Sequence, residues 1–325
     1  MKWSRQKKQK VILSLATIIA LIGAGGYCGI RYLYHFAIER NDKSFMDSGE
    51  ASGTDEKEVA VTQWPFLKEK PIAMTQKTKD GLTLRGYLLK NPKQQSQRTP
   101  KLMVLVHGYT SNMNLLQQYA NMFYDMGYDL FVSDARGHGK SDGDYIGFGW
   151  PDRLDLINWI HQLCQVYHQN VAIGLWGVSM GGAEVMMASG EKLPKQVKCI
   201  IEDCGYTSTE DELTYQLKSM FHLPSFPIIP IASAYTKAQA GYDFYESSAV
   251  KQLHKNKLPM LFIHGKEDHF VPTYMVDEVY EATQDPKEKV LFDGAGHAKS
   301  FASNPKKYAD TCREFLNRYM PASTK

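Results

Sequence analysis

Trp176-Gly177-Val178-Ser179-Met180-Gly181 is the stretch on which the fold turns. An apolar run, Val171 to Trp176, precedes it and Gly182-Ala183-Glu184-Val185-Met186-Met187-Ala188 follows it. Gly-x-Ser-x-Gly therefore stands between a buried-strand pattern and a helix pattern, rather than in an ordinary glycine-bracketed loop. Such a strand-to-helix turn is sharp enough to strain the serine backbone and to project Oγ from the sheet. Side chains two positions either side would collide, which accounts for Gly177 and Gly181. A helix starting at Ser179 also aims unsatisfied N–H groups and partial positive charge at any anion formed beside it.

Outward from this junction, strand and helix patterns alternate. Upstream, Leu102-Met103-Val104-Leu105-Val106 is a continuous apolar run, as in a central parallel strand, followed by a helix at 114–126, a strand at 129–133 and a helix at 152–167. Downstream come a helix at 180–189, strands at 197–202 and 260–264, a helix at 273–282, a short strand at 290–292 and a final helix at 305–320. Ahead of them all, 72–77 and 82–89 flank Lys79-Asp80-Gly81 and read as a hairpin. This order implies an α/β fold with a mostly parallel, eight-stranded sheet covered by helices on both faces. The stretch 205–257 breaks the alternation. It is longer than a normal connection, has helix-like parts at 210–221 and 249–254 interrupted by 222–230, and carries Tyr206, Tyr215, Phe221, Phe226, Tyr235, Tyr242, Phe244 and Tyr245. An aromatic insertion at the carboxyl end of a strand is placed to serve as a lid over a ligand crevice.

A serine near neutral pH needs a base to take its proton, and the base needs a third group to orient it. Asp268, in the loop after 260–264, and His297, on the glycine-rich loop after 290–292, are the candidates beyond strand ends. Asp203, Glu267 and Asp293 are rival acids, and His138, His264 and His269 rival bases without the terminal-loop position of His297. The oxyanion would be met by the backbone N–H of Met180, next to the nucleophile, and of Tyr109, in Val106-His107-Gly108-Tyr109-Thr110 after the first central strand. No cofactor is called for, and no HExxH motif or carboxylate cluster argues for a metal.

The 325 residues carry a net charge of +3, but Lys2, Arg5, Lys7, Lys8 and Lys10 crowd the first ten, leaving 33 basic against 35 acidic side chains beyond them. So balanced a body offers no electrostatic reason to expect nucleic acid as partner. After this basic tail (1–10), residues 11–30 are uncharged and apolar, and in a helix about 20 residues span the ~30 Å hydrocarbon core of a bilayer. They are expected to be a transmembrane signal anchor, with the basic end cytoplasmic and the body outside. A cleaved signal peptide is the competing reading, on Ala24-Gly25-Gly26; Tyr27 before Cys28 disfavours a lipoprotein signal. Residues 31–61 are expected to be a polar tether after a short helical continuation, and 62–325 the catalytic domain. Cys28, Cys164, Cys199, Cys204 and Cys312 make no disulfide framework or zinc pattern, and Cys199 and Cys204 lie in or near one strand, where bridging geometry is poor.

Five motifs fall in order: His107-Gly108-Tyr109, Asp134 to Ser141 (Asp-Ala-Arg-Gly-His-Gly-Lys-Ser), Gly177 to Gly181, His264-Gly265-Lys266-Glu267-Asp268 and Gly296-His297. Together, over about 71–320, they resemble the α/β-hydrolase superfamily, and most closely membrane-anchored hydrolases of low-GC Gram-positive bacteria. Those are related to small carboxylesterases, feruloyl-type esterases and prolyl-oligopeptidase-type peptidases. The resemblance implies Ser179 as nucleophile, His297 as base, Asp268 as its partner, Tyr109 and Met180 as oxyanion donors, and a structural turn at 134–141. Tyr109 stands where many lipase-type esterases have further glycines, and no β-propeller precedes the domain. The expected activity is cleavage of small or medium carboxylic esters. A peptidase or amidase would use the same triad, and a non-catalytic binding module on this fold is the reading of another class.

Overall fold

The junction at Ser179 lies at the middle of an eight-stranded sheet in the computed structural model, which describes residues 5–41, 58–95, 97–284 and 286–321. Strands β1 (Ile72–Lys77) and β2 (Thr83–Leu89) form the antiparallel hairpin at one edge, with Gly81 at φ 91° in its turn. β3 (Lys101–Val106), β4 (Asp129–Asp134), β5 (Ala172–Val178), β6 (Val197–Asp203), β7 (Met260–Gly265) and β8 (Lys287–Phe292) run parallel to one another. The order is β1-β2-β4-β3-β5-β6-β7-β8, with β2 antiparallel to β4. The central strands are almost wholly buried because helices cover both faces, which is why they read as unbroken apolar runs.

After the N-terminal helix α1 (Arg5–Ala37), α2 (Gln117–Asp125) covers one face, while α3 (Asp152–Val166) and α4 (Met180–Ser189) cover the other. Between β6 and β7 the insertion holds α5 (Thr209–Phe221), α6 (Ile228–Ala240) and α7 (Ala249–Leu253); α8 (Tyr274–Ala282), the single turn α9 (Ser300–Ser303) and α10 (Pro305–Tyr319) complete the chain. α6 was not expected, because Pro227 and Pro230 flag a break. Both prolines fall at its start, where an N–H has no intrahelical acceptor to lose.

Residues 31–41, expected to open the tether, instead join the body. Tyr34 and Ile38 are buried in the core, Ile38 O accepts from Ile146 N at 2.8 Å, and the Arg40 guanidinium donates to the carbonyls of Gly139 and Ser141 at 2.7 and 2.8 Å. The polar character of 31–61 as a whole hides the apolar Leu33, Tyr34, Phe36 and Ile38 at its start. Most of the rest of that tether, 42–57, lies outside the described residues. So do the side chains at 11, 16, 18–20 and 22 of the expected membrane span, and among the described residues no helix is long and apolar enough to cross a membrane.

Candidate active site

Ser179 sits between β5 and α4 with φ 56° and ψ −120°, a conformation that L-residues adopt only where their surroundings impose it. Here the glycines do so. A Cβ on Gly177 would run into the carbonyl of Gly181, and one on Gly181 into the carbonyls of Val106 and His107. The turn is thus wedged between its own arm and the neighbouring β3 loop.

His297 Nε2 lies 2.9 Å from Ser179 Oγ, and His297 Nδ1 lies 2.8 Å from Asp268 Oδ2. Asp268 is buried in the turn after β7, where its Oδ1 accepts from the backbone N–H of Phe270 and Val271 at 3.0 and 2.9 Å. Burial opposes its ionisation, but the facing His297 and His264 outweigh burial and hold the carboxyl well below the usual range. An ionised carboxylate only accepts, so His297 Nδ1 carries a proton and donates it, leaving Nε2 bare to accept from the serine hydroxyl. The ring of Phe270 packs 4.9 Å from that of His297.

The rival groups are engaged elsewhere. Asp203 Oδ2 accepts from Tyr308 Oη at 2.8 Å, and its burial raises it to about 6. Asp293 is exposed and paired with Lys266, while Glu267 and His269 are exposed. His264 Nε2 donates to the Val271 carbonyl at 2.9 Å and lies 3.4 Å from Asp268 Oδ2, so it braces the acid rather than the serine.

His138 and His107 hold the loop that carries Tyr109. His138 Nε2 accepts from Thr110 N at 3.2 Å, His107 Nε2 accepts from Ala135 N at 3.0 Å, and the two rings lie 5.0 Å apart. The turn at 134–141 is knotted beneath them: Asp134 accepts from Met113 N and Lys140 N, and Ser141 Oγ donates to the Asp134 carbonyl. Met180 N heads α4, where no intrahelical acceptor exists. Gly108 lets the loop approach, since a Cβ there would lie 3.3 Å from Ser179 Cβ.

Cys204, Asp268 and His297 bring one potential metal-ligand atom each within 4.8 Å of one another. Asp268 is already committed to His297, and burial raises the Cys204 thiol well above its ordinary value, so the sulfur stays a neutral thiol and a poor ligand. The other cysteines are free as well, and Cys199 and Cys204 are not bridged.

Ser179 opens onto an apolar pocket whose walls include Phe36, Tyr109, Phe148, Tyr206, Leu213 and Phe270. Glu212 also lines it. Its Oε1 accepts from Gln216 Nε2 at 2.8 Å, its Oε2 has no hydrogen-bond partner among the described residues, and burial lifts it to about 8. The sequence reading missed Glu212, His107 and Phe36 as parts of the site and weighed His264 only as a rival base. Only His107 and His264 carried a signal, as members of the motifs around the loops.

A family model described as serine aminopeptidase, S33, matches residues 97–220. YqkD of Bacillus subtilis is 26% identical over 309 residues, covering 95% of this chain and 97% of that protein. Protein bem46 of Schizosaccharomyces pombe is 26% identical over 242 residues, 73% of this chain and 70% of that one. Among solved structures, an esterase of Pyrococcus furiosus superposes with a TM-score of 0.62 at 23% identity, over 77% of this chain and 92% of its own. An acylaminoacyl peptidase of Pyrococcus horikoshii superposes with a TM-score of 0.61 at 19% identity, over 79% of this chain and 42% of its own.

Proposed function

We propose an ester-cleaving role for this chain, which belongs to the α/β-hydrolase superfamily. The observation that carries it is the unbroken hydrogen-bonded line Ser179 Oγ, His297, Asp268, beside an apolar pocket. In the proposed reaction His297 Nε2 takes the hydroxyl proton as Ser179 Oγ attacks the ester carbonyl carbon. The backbone N–H groups of Tyr109 and Met180 receive the negative charge that develops on the carbonyl oxygen. His297 then gives the proton to the departing alkoxide, leaving an acyl-serine. Water, deprotonated by the same nitrogen, releases the acid and restores Ser179.

Turnover of p-nitrophenyl esters by the full chain, with labelling of Ser179 by a fluorophosphonate, tests this reading. Labelling without ester turnover, but with cleavage of aminoacyl p-nitroanilides, favours the peptidase reading, which the serine aminopeptidase model and the peptidase-like fold support. No labelling at all defeats both.

The uncharged run at 11–30 behind a basic tail supports a further part of the proposal, that the chain is held in the cell membrane by its N-terminal helix with the catalytic body on the outer side. Retention of the full chain in the membrane pellet after alkaline carbonate, and digestion of the body by protease added to intact protoplasts, are the expected results. Release by carbonate overturns the anchor, and protection from protease overturns the orientation.

A further inference from the structure

A second apolar pocket adjoins the one at Ser179 and shares Phe36, Ala37, Leu213, Gln216 and Met220 with it. Their combined lining traces a path from the serine on between three helices, here called the channel. Each helix contributes a single stripe. On α5 it is Leu213, Gln216, Leu217 and Met220, on α6 Ile228, Ala232 and Thr236, and on α1 Leu33, Phe36 and Ala37. All three sets follow the three-to-four residue spacing of one helical face.

α1 is fixed in that position from several sides. The Phe36 ring meets Phe221 of α5 edge-on at 5.2 Å, Tyr34 meets Tyr235 of α6 at 5.2 Å, and the Ala37 carbonyl accepts from Tyr109 Oη at 2.7 Å. The wall is therefore a built part of the site.

The polar groups along the way are mostly spent. Gln216 Nε2 donates to Glu212 Oε1 and to the Phe270 carbonyl, both at 2.8 Å, and Tyr109 Oη is used on Ala37. With Glu212 lifted to about 8 by its burial, no fixed charge faces the channel at neutral pH.

We infer that this channel is an acyl-chain subsite, that the end of α1 forms one of its walls, and that the substrate's acid is an unbranched aliphatic chain long enough to pass beyond Phe36 to Ala232. The inference rests on the ester-cleaving reading for its substrate but not for its cavity. Each methylene that moves from water into such a wall favours binding up to about fourfold.

The test uses the full chain in phosphatidylcholine nanodiscs and the p-nitrophenyl acetate, butyrate, octanoate and dodecanoate series. kcat/KM is expected to climb from acetate through octanoate. Ala232→Phe, which fills the far half, is expected to lower the octanoate-to-acetate ratio by about tenfold or more, and Phe36→Ala to move the optimum to a longer chain. A flat profile in the wild type, or a ratio unchanged in both variants, overturns the inference.

If no ester is turned over and Ser179 is not labelled, the ester-cleaving reading fails by itself. The channel is then read by the thermal shift that dodecanoate produces in the wild type. A shift lost in Ala232→Phe and altered in Phe36→Ala upholds the subsite, and no shift removes it.

Discussion

Ser179, His297 and Asp268 come from three loops, and each has its partner within hydrogen-bonding distance already. On the proposed mechanism Ser179→Ala or His297→Ala lowers kcat by about six orders of magnitude, and Asp268→Asn by about four, since the amide no longer fixes the imidazole tautomer. Initial rates on one ester, with circular dichroism as a fold control, check all three. Glu212 makes a different prediction. Its ordinary value is 4.5 and its folded value about 8, so between those limits the folded chain holds a proton that the unfolded chain has released. Stability contributed by this group therefore falls as pH rises from about 4.5 to about 8, by up to ~1.4 kcal/mol per pH unit. Glu202, also buried and lifted to about 8, adds a slope of the same sign. Urea midpoints of Glu212→Gln should accordingly fall less steeply over that window than the wild type's; an unchanged slope refutes the buried acid. The three aligned residues were legible in the sequence because each sits in a local pattern: a glycine-bracketed serine, and an acid and a histidine just past apolar runs. Glu212 was not, because its place at the pocket depends on how α5 is laid over the sheet, which no neighbouring residue encodes.

At the scale of elements, the strand-to-helix turn tolerates no added methyl. Gly177→Ala forces Cβ against the Gly181 carbonyl, which is backbone and cannot swing aside. The variant should lose about 1–3 kcal/mol and most fluorophosphonate labelling together, measured by urea unfolding and gel fluorescence. Labelling at the wild-type rate would mean that the turn has room the geometry denies it. β3 could be read almost to the residue, and β5 apart from its last two residues, because burial on both faces leaves them apolar runs. β8 extends further back than expected, from Lys287, because its first five residues are only half-buried and its polar lysines and glutamate mask the strand. In α6 the two prolines that signal a stop lie in the one helical turn that accommodates them.

For the whole molecule, the sheet order and both helical layers follow from the alternation of patterns along the chain, whereas the docking of 31–41 follows from none of them. Tyr34 and Ile38 are spent on the core that α3, α4 and the insertion build, so their burial is a long-range event. Ile38→Ala should destabilise the body by about 2–4 kcal/mol, as a core truncation does, although it stands within the stretch expected to be a tether. A loss under about 0.5 kcal/mol, the scale of a surface change, would return that segment to the tether.

The hydrogen bond from Tyr109 Oη to the Ala37 carbonyl joins the N-terminal helix to the loop proposed to receive the oxyanion. Tethered enzymes are commonly treated as two exchangeable modules, a leash and a catalyst, each replaceable without regard to the other. If this chain is tethered as proposed, its leash ends inside the catalyst. A chimera bearing a foreign membrane helix would inherit a different wall and a differently seated loop, so a swap intended to change only the address of this protein would also change its chemistry.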